Sequence, residues 1–543
     1  MTAGRRRTPT GGAVVADALG ALGAEAVFGL PGIHALPIWD ALRDSGIRAL
    51  PLRTELDAGF AADGYARVSG RPAPLLLSTG PGALNALTAL MEAASAHVPV
   101  VAIASGVPRA FLGRHRGYLH ELEDQLASFA PIVKRAVRVE DVEQLPTQLA
   151  EAWALARAAP SGPVFVEVPS DVLAEPAGGV DASDLAAPVA SPPGVPEGAA
   201  LDHVAGLLAR SAAPVLWAGG GVVRGTAWEQ LRALAERLDA PVVTTFMGKG
   251  ALPDPHPLAV GSACNEAAVL GVLAEADVVL CAGTQLGADT TDDYALRFSG
   301  TLVHLDADPR RIGATYDAVA LVGDAAPTLA ALVERVPASP PQREGAGRAA
   351  AVRAAVADRL AREEPGPELG MVRALREALP TDAVDAWDST ILGYWGASYF
   401  EARLPARFLY PLGSGTIGYG FPAALGAAAA LPGVPVLAVA GDGGIQYGLA
   451  ELSAARQHGL AVKLVLVDDG GYGILREYQA QRFGRLTATD LEQPDFAAVC
   501  AGFGLPVRRS STESLGADLT WALEQSGPAV LVVQAELSCY RMS

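Results

Sequence analysis

The stretch VPVLAVAGDGGIQYGLAELSAARQHGLAVKLVLVDDGGYG, residues 434–473, shows the unit from which the whole chain is built. An apolar run, Val434–Ala440, ends in Gly441-Asp442-Gly443-Gly444, and the spacing then predicts a helix over Gln446–His458. A second apolar run, Val462–Val467, ends in Asp468-Asp469-Gly470-Gly471-Tyr472-Gly473. Continuous apolar strands joined through helices are buried on both faces, which implies a parallel sheet covered on each side. The same unit recurs around Pro74–Ser78, Val98–Ala104, Pro163–Val168, Pro214–Ala218, Asp277–Ala282, Leu302–Asp306, Ala383–Trp387 and Pro528–Gln534. Two stretches rich in Ala, Pro, Gly and Ser, residues 171–200 and 336–350, interrupt it and read as linkers. They divide the chain into blocks 1–175, 196–335 and 360–543, so the fold class predicted is α/β, with three consecutive doubly wound parallel-sheet domains.

Composition narrows the function. The 543 residues carry 41 Lys and Arg against 59 Asp and Glu, a formal net charge of −18. Nucleic acids and anionic membranes are bound by clustered cations that replace counterions, so neither partner is expected. Arg5-Arg6-Arg7 is not followed by an apolar segment of the signal-peptide kind, and no run reaches the ~18 apolar residues of a spanning helix. Cys264, Cys281, Cys500 and Cys539 show neither CxxC nor His-pair spacing, against both a zinc site and a disulfide framework. A soluble, cytoplasmic, multidomain protein is the expectation.

The two glycine-rich turns of residues 434–473 carry the chemistry. Such a turn exposes backbone N–H groups and a helix N-terminus, which suits phosphate. Asp442 and Asp469 end two successive strands. If these strands are neighbours, both carboxylates stand beside one phosphate cradle, and hard oxygen ligands next to phosphate oxygens describe a Mg²⁺–diphosphate site. Either turn alone reads better as a loop with a solvated aspartate. Together they sharpen the reading.

With this pair in place, the sequence resembles the thiamin diphosphate (ThDP)-dependent decarboxylase and carboligase superfamily, whose signature is GDG, some twenty-five to thirty residues, then NN. The resemblance covers nearly the whole chain. Phe28-Gly29-Leu30-Pro31-Gly32 resembles the family's opening strand and turn, and Arg53–Arg67 (RTELDAGFAADGYAR) its "RHEQ…AADGYAR" helix. Thr79–Asn85 (TGPGALN) resembles "TSGPGATN", and Gly413–Ala424 (GSGTIGYGFPAA) resembles "GLGTMGFGLPAA".

Residue by residue, the resemblance implies the following roles. Glu55 bonds N1′ of the cofactor aminopyrimidine and shifts the ring towards the imino tautomer that deprotonates thiazolium C2; without its flanking match, Glu55 reads as a surface acid on an amphipathic helix. Ile417 wedges between the two cofactor rings, and the Gly415 carbonyl accepts from the aminopyrimidine. Gly413, Gly415 and Gly418 also satisfy GxGxxG, but the acidic residue expected about twenty positions later in a dinucleotide site is absent. Ser389 and Thr390 reach the diphosphate or cap a helix. Pro31, Gly32, Thr79, Asn85, Gly443, Gly444, Tyr472, Gly473 and Ile474 complete the cofactor contacts. Mg²⁺ falls on Asp442, Asp469 and the Gly471 carbonyl. Family architecture implies a homodimer or homotetramer with shared sites, Glu55 from one chain and Asp442 and Asp469 from its partner.

Departures from the family pattern bear on the reaction. The paired asparagines are Asp468-Asp469, which adds a negative charge near the diphosphate, and the histidine of "RHE" is Thr54. Against acetolactate synthase, "FQE" becomes Leu119-His120-Glu121, "GQHQMW" becomes Thr390–Trp395, and "GMHG" of the FAD segment becomes Val260–Asn265. A standard acetolactate synthase is therefore not expected, and neither is FAD; the Ala218–Gly221 and His304–Asp308 features of the middle block read as structural. His34 is a candidate proton shuttle or a core-capping residue, and His120 is a second catalytic candidate. The loop Arg114–Gln125 loosely resembles that of 5-guanidino-2-oxopentanoate decarboxylase-like members. Its acids suit a cationic 2-oxo acid, although a charged loop is by default a solvated one. The reading is a ThDP- and Mg²⁺-dependent enzyme that decarboxylates a 2-oxo acid and releases an aldehyde or ligates it to a second carbonyl. The alternatives are an acetolactate synthase with FAD, a non-decarboxylating acyl or carboxyethyl transferase, and a non-catalytic paralogue.

Overall fold

The computed structural model describes residues 9–182, 185, 186, 188, 194–337, 343–363 and 366–539. It contains three six-stranded sheets with every ladder parallel, flanked by helices, as expected for three α/β domains. Two compact units emerge: residues 1–191 with 413–432 and 448–460, and residues 192–412 with 433–447 and 461–543. The first unit holds one sheet and the second holds two.

In the first sheet the spatial order is Arg48–Pro51, Ala26–Gly29, Ala73–Leu77, Val100–Gly106, Val164–Pro169, Ala136–Arg138. The last sheet repeats that order with Phe408–Leu409, Val384–Trp387, Val436–Gly441, Val462–Asp468, Ala529–Gln534, Val507–Ser510. In both, the first and third strands of the sheet lie side by side and the chain winds outward from them in opposite directions. A crevice opens where the winding reverses, and ligands bind there beyond the carboxyl ends of the strands. The middle sheet has the dinucleotide-fold order Val319–Val322, Thr301–Asp306, Val278–Ala282, Val215–Ala218, Val242–Thr244, Ala259–Gly261. Its glycine turn, however, is engaged by the chain itself. The N–H groups of Gly219 and Gly221 donate to Ala282 and Gly283 carbonyls at 2.8 and 2.9 Å.

Two sequence expectations need correction. The helix expected over Gln446–His458 is instead Asp442–Ile445 and Glu451–Gln457, divided around Gly448. The stretches read as linkers also contain helix: Ser170–Ala174 and the start of Gly198–Arg210 in one, the start of Gly345–Arg362 in the other. Alanine-rich GAGRAAAVRAAVADRLAR is a good helix former once its two glycines lie in the first turn. Residues 183, 184, 187, 189–193 and 338–342 of those stretches lie outside the described residues.

Helix Glu55–Ser69 crosses helix Gly420–Ala430 at backbone contact within the first unit. A Cβ on Gly64 would lie 2.1 Å from the Ala423 carbonyl oxygen, and one on Gly426 would lie 1.8 Å from that of Ala61. Gly426→Ala must force the helices apart, and overpacking of this kind costs about 1–3 kcal/mol. A clearly lower urea midpoint in that variant is the expected result.

Candidate active site

Each reversal point carries predicted site residues. In the first sheet, Ala26–Gly29 pairs with Ala73–Leu77, and the turns that follow them converge. A Cβ on Gly32 would lie 2.2 Å from Ser78 Oγ; one on Gly82 would lie 3.1 Å from Ser78 Cβ and 3.0 Å from Glu55 Oε1. Only glycine lets Pro31-Gly32, the Ser78–Gly82 turn and Glu55 meet. Thr54 caps the helix that Glu55 opens, accepting from Asp57 N at 3.0 Å. Glu55 is buried, and Asn85 Nδ2 donates to its Oε2 at 3.1 Å. No donor among the described residues reaches Oε1. Asn85 thus orients the carboxylate and leaves one oxygen open.

The two candidate histidines, distant in sequence, come together. Their ring centroids are 5.4 Å apart in an edge-to-face arrangement, and Tyr118 lies 5.8 Å from His34. The Nδ1 atoms of both are buried without a partner among the described residues. Burial, reinforced by His120, lowers the His34 pKa and so keeps its imidazole neutral. His120 is tied to the Glu55 cluster through Gly80, whose Cβ would lie 2.5 Å from the His120 carbonyl oxygen. Gln125 fixes the same turn, accepting from Gly80 N at 2.7 Å and donating to the Ser105 carbonyl at 3.1 Å. The Thr79 hydroxyl is engaged in the interior with Ser105 Oγ at 2.9 Å.

The segment with Gly415 and Ile417 is held by a buried ion network. Glu92 accepts from Gly413 N (3.0 Å), Ser414 N (2.7 Å) and Ser414 Oγ (2.9 Å). Arg67 donates to Glu92 at 2.9 Å and to Asp63 at 2.6 Å, and Tyr419 donates to Asp63 at 2.7 Å. Burial alone would disfavour the charge on Arg67; Asp63 and Glu92 overcome it and drive the pKa further up.

In the last sheet, Val436–Gly441 runs beside Val462–Asp468 with Gly441 opposite Val467, so the two glycine turns are neighbours. Asp442 is buried, receives Gly443 N at 2.9 Å on Oδ1, and has Gln493 Nε2 on Oδ2. Burial, with Asp469 alongside, pushes the Asp442 pKa up to about 7; burial also raises that of Asp469. Asp469 Oδ1 is buried with no donor among the described residues. Two carboxyls whose charged forms are disfavoured side by side mark a place short of positive charge. No group of three or more His, Cys, Asp or Glu forms a closed metal cage among the described residues. A cation here would need its remaining oxygens from backbone and ligand, as Mg²⁺ on a diphosphate does. The Gly471 carbonyl oxygen lies 3.7 Å from the Cβ position of Gly443, and the Tyr472 ring 2.8 Å from it. Thr390 Oγ1 is 2.7 Å from the Cβ position of Gly441, and Ser389 N donates to Asp388 at 2.8 Å. The turn after Asp442 starts only the four-residue helix Asp442–Ile445, too short to sum many peptide dipoles. The longer helix Gly473–Phe483 starts beside Asp469, with Ile474 packed on the core.

Three family models match consecutive parts of this chain: the thiamine pyrophosphate (that is, ThDP) enzyme N-terminal TPP binding domain over residues 9–128, the central domain over 201–332 and the C-terminal TPP binding domain over 388–533. The chain belongs to the ThDP-dependent enzymes. A "probable 2-ketoarginine decarboxylase AruI" of Pseudomonas aeruginosa is 38% identical over 550 residues, covering 99% of this chain and 95% of the relative. The acetolactate synthase large subunit of Corynebacterium glutamicum is 33% identical (92% and 83% covered), and isozyme 1 of Escherichia coli 31% (100% and 97%). The enzyme thus falls in the decarboxylase and carboligase group.

Ser78, Glu92 and Gln493 hold these turns but belong to no motif, while Gln125 ends the charged loop singled out in the sequence. Gln493 stands 51 positions from the aspartate it contacts. Arg67→Met would leave Asp63 and Glu92 buried without their cation. A loss of about 3–5 kcal/mol is expected, measured by urea denaturation.

Proposed function

We propose that this enzyme decarboxylates a 2-oxo acid whose tail is cationic and guanidino-like, using ThDP and Mg²⁺ and no FAD. One observation carries the substrate class. Within the first unit a cavity of about 250 Å³ is lined by Thr79, Gln125, Arg138 and three acids, Glu123, Asp124 and Glu167. Arg138 is paired with Glu167 at 2.7 Å, so the cavity keeps a surplus of negative charge. Its wall is continuous with the turn that meets Glu55, because Gln125 lines it and also holds Gly80. A guanidinium is planar and presents forked donors that fit carboxylates. The name of the Pseudomonas relative points the same way.

The residues present fit the cofactor and its metal. The orphaned Asp469 Oδ1 and the burial that disfavours charge on both aspartates call for a cation, and the glycine cradles at 32, 82 and 443 would be filled by any Cβ. Bound ThDP supplies the electron sink into which a 2-oxo acid can lose CO₂. Glu55, with one oxygen fixed by Asn85, holds and moves a proton at N1′ of the aminopyrimidine through the other. Asp442, Asp469 and the Gly471 carbonyl hold Mg²⁺, while Gly443, Gly444, Ser389 and Thr390 receive the diphosphate. Gly415 and Ile417, on the segment fixed by Glu92, position the rings; Pro31, Gly32, Thr79, Tyr472, Gly473 and Ile474 line the remainder. His34 and His120, whose rings meet, relay a proton from solvent to the carbon that loses CO₂, His34 taking one proton as it passes the other on. The working form is a homodimer or homotetramer with shared sites. No helix among the described residues is long and apolar enough to cross a membrane.

The test is CO₂ release from a panel of pyruvate, branched-chain, aromatic and guanidino 2-oxo acids, with products weighed by mass spectrometry. The guanidino acid should be preferred and yield the aldehyde, and Glu123→Gln should raise its KM about tenfold or more, the worth of one charge-assisted hydrogen bond, without affecting uncharged substrates. Preference for pyruvate with a ligated product would refute the proposed substrate and favour carboligation. Asp442→Ala should abolish the Mg²⁺ dependence of ThDP binding in calorimetry.

A further inference from the structure

The helix that presents Glu55 starts on a second pair of buried acids, outside the diphosphate site. Asp57 and Glu451 are both fully buried. Glu451 Oε1 accepts from the backbone N–H groups of Arg53 (2.7 Å) and Thr54 (3.2 Å), the two residues just before Glu55. Thr54 Oγ1 accepts from Asp57 N and donates to Asp57 Oδ2 at 2.8 Å. The remaining oxygens, Asp57 Oδ1 and Glu451 Oε2, are buried with no donor among the described residues. Around them the chain is apolar or backbone: a Cβ on Gly448 would lie 3.5 Å from Pro422 and 3.6 Å from Asp57 Oδ1. The nearby charged and titratable groups are turned elsewhere. Arg53 Nη2 donates to Gln457 at 2.6 Å, Arg48 donates to the His458 carbonyl at 2.8 Å, His458 Nε2 meets the Pro51 carbonyl at 3.0 Å, and Glu55 is held by Asn85.

Two carboxylates cannot satisfy each other, but a carboxyl and a carboxylate can. We propose that Asp57 and Glu451 share one proton, donated by Glu451, and that this O–H···O bond is the clip that positions Glu55. Glu451 is then a positioning residue, and the inference rests on the reading of Glu55 given above. Burial, with Asp57 beside it, raises the Glu451 pKa to about 8; burial raises that of Asp57 less, to about 6, against the bonds from Thr54 and Glu451. Because the folded-state pKa of Glu451 lies above its ordinary 4.5, the stability this group lends is complete below that pH and is lost as pH rises towards about 8. Once the shared proton has gone, two buried charges repel, the contact with Arg53 and Thr54 loosens, and Glu55 loses its setting.

The experiment follows wild type, Glu451→Gln and Asp57→Asn from about pH 6 to about pH 9. It reads ThDP affinity by calorimetry in Mg²⁺, the thermal midpoint of cofactor-free protein, and the infrared carbonyl band of protonated carboxyl groups. Wild type should lose at least about tenfold in ThDP affinity over this range, the equivalent of about one pH unit of coupling, and lose the carbonyl band that Glu451→Gln lacks. The amide of either variant can still bridge the pair, so each should bind ThDP near pH 7 within a few fold of wild type and lack the alkaline fall. An alkaline loss in Glu451→Gln as steep as in wild type, or an unchanged carbonyl band in both variants, would overturn the clip. Should one variant fail to fold, the other decides. Glu55→Gln, measured alongside, separates the two readings: full CO₂ release in that variant would refute the role of Glu55, while the cofactor-free midpoint and infrared band still judge the shared proton.

Discussion

Helix Glu55–Ser69 and helix Gly420–Ala430 touch through their backbones, and the first unit's chemistry depends on that contact. At Gly64 and Gly426 there is no room for even one carbon beyond the main chain. Such closeness leaves the polar side chains of Glu55–Ser69 in the interior, where burial of a charge is costly unless it is paired. The helix carries three acids there, Glu55, Asp57 and Asp63, all buried. Each is accommodated differently. Asp63 is neutralised by Arg67 and hydrogen-bonded by Tyr419; Asp57 is bonded by Thr54 and faces Glu451; Glu55 has Asn85 on one oxygen and nothing on the other. The free oxygen of Glu55 faces the turn at Gly82, whereas that of Asp57 is enclosed in the interior, so Glu55 is the acid within reach of a ligand.

The two outer sheets repeat one strand order, and in each the functional turns follow the strands at the reversal of winding. This explains how residues as far apart in sequence as Gly32 and Ser78, or Thr390 and Gly441, come into contact. It also explains the middle sheet. There the equivalent glycines donate to the neighbouring strand's turn, which turns a nucleotide-type crevice into a packed joint.

Much of this was legible in sequence because parallel strands buried on both faces leave unbroken apolar runs. The ten strands read from such runs lie within two residues of their observed ends. Those not read, Arg48–Pro51, Ala136–Arg138, Val242–Thr244, Ala259–Gly261, Val319–Val322, Phe408–Leu409 and Val507–Ser510, have two to four residues. All but Val242–Thr244 are sheet edges, and their shortness, joined in all of those but Ala259–Gly261 by partial exposure along the strand, leaves no continuous apolar signal. Gly448 inside an otherwise helical pattern was the missed mark of a break. Candidate site residues with a local motif, such as Glu55 or Asp442, stand out in the sequence. Ser78, Glu92, Gln125, Glu451 and Gln493 act through long-range packing, and a single sequence does not encode that locally.

The central claim is that Glu55, held by one oxygen, acts on the cofactor through the other. Nuclear magnetic resonance of ThDP bound to the enzyme in deuterated buffer tests it directly, through the rate at which the cofactor exchanges its C2 proton. The account predicts exchange much faster than in free ThDP for the wild-type enzyme, and a return close to the free rate in Glu55→Gln that still binds ThDP. Equally fast exchange in the two proteins would contradict it.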